Sequence, residues 1–489
     1  MSWQEEYKSK LASAEEAVRI VDSGDRVVIP LTSQPRDLAQ ALAARGRELN
    51  GVSIAISTPE IDLEGFLSAG EAAFQVELEV FIGARARPIH DAGRAPFLPL
   101  PFSLSYKAVD QRPSESKPID VVMVQVTPPD KQGLVCFGPH AWFKRGYVRR
   151  ARKVLAEVNP ALIRPRGDCF LPVSSFDRFV EVAPPSITRE GLLQAVSSLP
   201  EERRAAMTEI IRLVDPERLA PMVTQLGTVD PQRLRTTLGL EEPPAEARAI
   251  ADAVRRLIPD GATIQIGVGT PSSYLPRLGV FDDRVDLGLH TEMVAPGVAK
   301  LVDAGVINGR RKTIHRGKAV AVAWSGSNDL DLAIIDDNPL FELYEPEYLL
   351  NPWLIAQNHQ QIALNNALSV DLLGQINAES VFGGRMYGGL GGHPETHLGA
   401  LYSKGGRAIT LLRSTAVEGT VSRIVPKLEE GEIVTIPRFF ADTVVTEHGV
   451  ANLVGKNHRE RAEALIGISH PDFRSELRKA TRGWLYSRP

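Results

Sequence analysis

Only two cysteines, Cys136 and Cys169, occur in the 489 residues, and they form neither a C-x-x-C pair nor the framework of bridges that staples small secreted domains. Two buried free thiols in a reducing compartment are the expectation. No run of about 18 apolar residues occurs, and the charged N-terminus MSWQEEYKSK contains no apolar core segment. A membrane-spanning helix and a secretory leader are therefore not expected, and the cytoplasm is. Long stretches of one charge sign are missing too. The 56 basic and 60 acidic residues leave a formal charge of −4, so neither nucleic acid nor an anionic membrane is an expected partner. Metal-ligand spacing is also absent: His290-Thr291-Glu292 resembles half of a zinc-deaminase signature, but its P-C-x-x-C partner is missing. No metal is expected.

The chain is too long for one ordinary core, so two domains are expected. The first region opens with Ser13-x-x-Glu16, a capping-box pattern, followed by apolar residues at helical spacing up to a stop at Gly24. A strand is predicted at Val27–Ile29. Short apolar or β-branched runs at Val52–Ser57, Val76–Ile82, Val121–Val126 and Val154–Val158 alternate with helical pieces, which predicts an α/β sheet. The second region starts the same way, with Ala247, Ala251, Val254 and Ile258 on one helix face, a stop at Asp260-Gly261, and a strand at Thr263–Ile266. An offset of 237 positions superposes Gly24 on Gly261, Val27 on Ile264 and Ile29 on Ile266, which points to an internal repeat. Between the two, Ser197–Glu242 is rich in Glu, Arg and Pro, with helical pieces at Ala205–Val214 and Pro231–Leu238 and turns at Asp215-Pro216 and Asp230-Pro231. The expected organisation is an α/β domain over 1–190, a helical insertion or linker over 191–244, and a second α/β domain over 245–489.

Several segments carry candidate chemistry. Gly267-Val268-Gly269 follows a strand and precedes a helical segment, Ser272–Leu278, so its N–H groups can hold an anion or simply close a tight turn. Leu287–Met293 places Glu292 just after an apolar run, where a strand end would project it into a cleft; by itself such a residue is more often just solvated. Tyr387–His393 has four glycines in five positions, too many for a packed element, and reads as a surface loop or as a backbone wall beside a ligand. Ser403–Arg407, with Lys404, suits a phosphate or an ordinary turn, and Glu447-His448 reads as structural. Arg385, Arg413 and Arg423 could meet an acceptor carboxylate or lie on the surface.

These strings resemble the acetyl-CoA hydrolase/transferase family, above all its 4-hydroxybutyrate CoA-transferases, members of the glutamate-dependent CoA-transferases. The resemblance rests on Gly288–Met293, Gly305–Gly309, Val370–Gln375, Ser422–Pro426 and Val445–Leu453, with weaker matches at Gln125–Gly133 and Ala156–Pro160. It implies two tandem CoA-transferase-type open-sheet domains related by duplication, with the active site between them. It further implies that Glu292 is the catalytic acid. Gly267, Val268 and Gly269, together with Gly388, Gly389, Leu390, Gly391 and Gly392, would form the oxyanion and coenzyme A segments, and Lys404 would meet a phosphate of CoA. The implied substrates are an acyl-CoA and a small carboxylic acid, and relatives suggest a homodimer. Val294-Ala295-Pro296, Glu395-Thr396 and His448 depart from the family pattern beside the presumed site, which puts the acyl specificity in doubt.

With a reference pKa near ~4.3, Glu292 is expected to be ionised at neutral pH. It would attack the donor thioester to give an acyl-glutamyl anhydride, and then a glutamyl-CoA thioester. An acyl-CoA hydrolase using the same glutamate, and a CoA-ester sensor that has lost catalysis, are the competing readings.

Overall fold

The computed structural model describes all residues except 183–187, 215–218, 220–225, 239, 241, 325–328, 382 and 483–489; the expected Asp215-Pro216 turn thus lies outside the described residues. In chain order the main strands of the first half are β1 (Arg26–Ile29), β2 (Val52–Ile56), β3 (Phe74–Glu79), β4 (Phe97–Leu98), β5 (Val121–Val126), β6 (Lys153–Val158), β7 (Arg166–Gly167) and β8 (Arg178–Glu181). The second half adds β9 (Thr263–Ile266), β10 (Gly288–Met293), β11 (Ala319–Ala323), β12 (Phe341–Leu343), β13 (Gln361–Asn366), β14 (Arg407–Leu411), β15 (Thr443–Thr446) and β16 (Gly449–Asn452).

Seven strands form an all-parallel sheet in the order β8-β6-β5-β1-β2-β3-β4. Nine form the second sheet, β16-β15-β14-β13-β9-β10-β11-β12-β7, parallel except for β16. In each half the first strand, β1 or β9, is central in its sheet, the next three run outward on one side and later strands on the other, with β7 of the first half added at the far edge of the second sheet. Adding 237 to the bounds of β1 gives those of β9 (26 + 237 = 263, 29 + 237 = 266), so the repeat seen in the sequence is a repeat of topology. Gly24 and Gly261, at φ +83° and +77°, make the same left-handed turn before these strands, where a side chain would be strained.

Parallel strands covered on both faces need continuous apolar runs, and β1, β9 and β11 are buried at every position. Alternation along a strand then assigns its residues to two cores. In β5, Val121 and Met123 pack under the first half's own helices, whereas Val122 and Val124 join a cluster with Val320, Val322, Leu349 and Leu350 of the second half. The two halves therefore share one apolar layer. β7 reaches further and extends the second sheet at β12. The helices Arg189–Ala195, Glu201–Leu213 and Pro231–Thr237 enclose a small core of their own around Leu192, Met207, Ile210, Ile211 and Leu234.

Candidate active site

In open α/β sheets ligands sit beyond the carboxyl ends of the strands, where the strand order reverses. In the second sheet that point lies between β9 and β13, and β10 is the next strand. Glu292 is the fifth residue of β10 and is only 9% exposed. Its neighbours in sequence hold the strand in place. His290, fully buried, donates from Nε2 to the Leu349 carbonyl at 2.7 Å and accepts at Nδ1 from the Asn358 side-chain NH2 at 3.0 Å, so both ring nitrogens are occupied. Thr291 ties back to Ile266 and Met293.

The glycine loop closes over the carboxylate. Gly392 donates its N–H to Glu292 Oε2 at 2.8 Å, and a Cβ added to Gly392 would sit 2.6 Å from the same oxygen. A Cβ on Gly391 would meet the Phe81 ring at 2.9 Å, and one on Gly389 would collide with the Val80 carbonyl. This explains the density of glycine: the loop runs as bare backbone between the end of β3 in the first half and Glu292 in the second. Glu292 Oε1 is buried with no hydrogen-bond partner.

Burial pushes the Glu292 carboxyl up to about 8, with the Gly392 bond opposing the shift and Glu395 adding to it. The sequence expectation of an ionised side chain at neutral pH is corrected accordingly. Glu395 lies in the first turn of the helix His393–Tyr402; its Oε1 accepts from the Ser103 N–H (2.9 Å) and hydroxyl (3.2 Å), across the two halves. Burial raises it as well, to about 7.

The other expected residues divide. Gly267, Val268 and Gly269 do form the turn at the end of β9, and Ser272 bonds to the Gly267 and Gly269 carbonyls. The Gly267 N–H, however, is spent on the Leu364 carbonyl at 2.7 Å and that of Gly388 on the Glu379 carbonyl at 3.3 Å, so neither can serve an oxyanion. Among the described residues no acceptor engages the N–H of Val268, Gly269, Gly389, Leu390 or Gly391. Lys404 is exposed and lies where β13 and β14 begin, its carbonyl bonded to Gln360 N–H, at the opposite end of the sheet from Glu292. Arg385 pairs with Asp91 at 2.7 Å, and Arg423 braces the Thr415 and Leu368 carbonyls. Glu447 holds Ser414. Phe81 and Ser103 have no sequence signal, because they are brought in by packing between halves that lie far apart in the chain; Glu395 stands out in the sequence only as a departure from the family pattern, with no sign of the Ser103 that holds it.

Comparison with known proteins bears on the whole chain. The model of the acetyl-CoA hydrolase/transferase N-terminal domain matches residues 1–223 and that of the C-terminal domain residues 326–481. The chain is 35% identical over 483 residues to a 4-hydroxybutyrate coenzyme A transferase of Clostridium kluyveri, covering 98% of each. Among solved structures, RipA from Yersinia pestis superposes with a TM-score of 0.79 at 28% identity, covering 99% of each chain. A 4-hydroxybutyrate CoA-transferase from Porphyromonas gingivalis gives 0.69 at 27% identity, covering 98% of this chain and 99% of the other.

Proposed function

Because the chain belongs to the acetyl-CoA hydrolase/transferase family, we propose that it transfers coenzyme A from a short-chain acyl-CoA, such as acetyl-CoA, to a carboxylic acid through covalent intermediates on Glu292. The observation that carries the reading is a buried carboxylate at the carboxyl end of β10, one oxygen held by a fixed N–H and the other left without a partner.

Glu292 Oε1 attacks the thioester carbonyl, the C–S bond breaks, and CoA leaves as the thiolate. The thiolate then adds to the glutamyl carbonyl of the anhydride, and the donor acid departs as its carboxylate, leaving a glutamyl-CoA thioester. An incoming carboxylate reverses both steps and leaves with CoA. The thioester energy is conserved in each exchange, so no nucleotide is consumed. The N–H groups of Val268 and Gly269 at one side and of Gly389–Gly391 at the other are the donors available to the tetrahedral oxyanions, where loss of one donor costs roughly 3–4 kcal/mol. Desolvation makes the Glu292 carboxylate a stronger nucleophile once it is ionised, and the same enclosure keeps water from the anhydride.

Exchange of labelled CoA between acetyl-CoA and an added carboxylate tests this reading against a hydrolase. Fast exchange with slow release of free CoA from acetyl-CoA alone is expected; fast release that ignores the carboxylate identifies a hydrolase instead.

A further inference from the structure

The glycine loop over Glu292 belongs to the second half of the chain, yet the surface that sets its course belongs to the first. It is entered from a short hairpin in which Ser380–Val381 pairs with Arg385–Met386. From there the chain runs along the first half's helix Gly83–Asp91, from its last residue back past its first. Arg385 Nε and Nη2 donate to Asp91 Oδ2 at 3.0 and 2.7 Å. Met386 packs on the core cluster that includes Ile82 and Ala86. The Arg87 guanidinium lies 4.5 Å from the centre of the Tyr387 ring, and its Nη2 donates to the Tyr387 carbonyl. Gly389 then comes against the Val80 carbonyl and Gly391 against the Phe81 ring, at the residues that lead into the helix. Gly392 follows, with its N–H on Glu292.

These contacts are unequal. The Arg385–Asp91 pair is open to water, with 61% of the arginine side chain exposed, and such pairs contribute little. The close approaches at Gly389 and Gly391 limit how near the loop can come but not how far it can lift. Arg87 is half-buried and grips both the ring and the backbone of one residue, with a charged donor on the carbonyl. Among the described residues it makes the first half's only hydrogen bond to residues 387–392. The Tyr387 N–H is bound at the same time to the Glu379 carbonyl at 2.7 Å, so both backbone groups of this residue are fixed. Beyond it, the N–H groups of Gly389, Leu390 and Gly391 engage no acceptor among the described residues, and a glycine backbone is free to move unless something outside holds it.

We propose that Arg87 is a positioning residue for the transfer reaction: by holding Tyr387 against the first half it keeps the glycine loop seated on Glu292, with the Gly392 N–H on one carboxylate oxygen. This rests on Glu292 being the nucleophile. It adds a residue that acts on that nucleophile through the loop, from the other half of the chain.

The test compares wild type with Arg87→Met, which keeps the aliphatic stem without the charge, and Arg87→Lys, which keeps a charged donor. Arg87→Met should lower kcat for transfer from acetyl-CoA to a carboxylic acid roughly 10- to 100-fold, with KM changing much less, as small misplacements of reacting groups do. Arg87→Lys should recover most of the loss. Because the Gly392 bond holds the Glu292 carboxyl down, the rise of kcat/KM with pH should move above about 8 in Arg87→Met and return toward it in Arg87→Lys. Hydrogen–deuterium exchange reads the loop without turnover: in Arg87→Met the peptide spanning residues 387–393 should exchange roughly tenfold faster while peptides from β1 and β5 do not change. If Arg87→Met does not fold, Tyr387→Ala removes the other side of the contact at an exposed position and carries the same expectations. A folded methionine variant with wild-type kcat, pH profile and loop exchange overturns the proposal, and so does a lysine variant no better than the methionine one. If wild type moves CoA to no acid, the Glu292 reading fails, and loop exchange still decides the Arg87 contact: faster exchange in Arg87→Met upholds it and unchanged exchange refutes it.

Discussion

Glu292 is the side chain whose environment departs most from its sequence. Its neighbours in the chain say nothing about burial, which is imposed by Phe81, Gly391 and Gly392 from distant segments. Two consequences can be measured. First, if Glu292 is the nucleophile we propose, kcat/KM for transfer should rise with pH through about 8, because that carboxyl must be ionised in the free enzyme. Glu395→Gln removes the neighbouring acid and should move this rise to lower pH; a profile that does not move argues against coupling between the two carboxyls. Second, a carboxyl whose folded value is raised stabilises the fold below its unfolded value of 4.5, and that contribution is lost as pH climbs through the folded value of about 8. Glu292→Gln, with no carboxyl to ionise, should therefore melt higher than wild type at about pH 9, with the difference closing toward about pH 4.5. The same variant should lose roughly four orders of magnitude or more in transfer rate, since it lacks the nucleophile. Thermal melts across pH and steady-state assays on one preparation separate these effects.

Elements built from continuous apolar runs were legible almost to the residue. β5 and β9 have the bounds expected from their β-branched runs, and Ser13 and Glu16 form the expected reciprocal cap, at 3.2 Å in each direction. Boundaries failed where a turn interrupts the pattern. The apolar run Val76–Ile82 is strand only to Glu79, because Val80 turns to φ +65° and sends Phe81 toward the glycine loop. The helix expected over Ser272–Leu278 is a single 3-10 turn, Ser272–Tyr274; Pro276 supplies no N–H, and Ser272 is held by the preceding glycine turn. The glycine loop itself was readable as unusual, but not what it touches. Gly392→Ala should displace Glu292 or the loop and reduce kcat by roughly 10- to 100-fold, as small misplacements of reacting groups do. An unchanged far-UV circular dichroism spectrum would show that the fold is intact; an alanine variant with full activity would argue that the close approach is unimportant.

For the whole molecule, the duplication was visible because the two copies kept the same turn, strand and spacing at their starts. How the copies dock was not, since the shared layer draws alternate residues from strands on both sides. Lys404 illustrates the limit: composition suits a phosphate, but only the topology shows that it lies at the amino end of β14, away from Glu292. Trp142, fully buried in the shared layer, is the side chain to test docking. Trp142→Ala should cost about 3–5 kcal/mol, and because the layer is common to both halves, calorimetry should show its loss in the transition of both halves rather than of the first half alone.

Glu292 becoming acylated is the chemical event on which the rest depends, and mass spectrometry of its peptide, after incubation with acetyl-CoA and borohydride reduction, tests it most directly. The expected result is a primary alcohol in place of the Glu292 carboxyl, formed only when acetyl-CoA is present. A protein that transfers CoA at its normal rate, yet keeps an unmodified Glu292 under the same treatment, would contradict it.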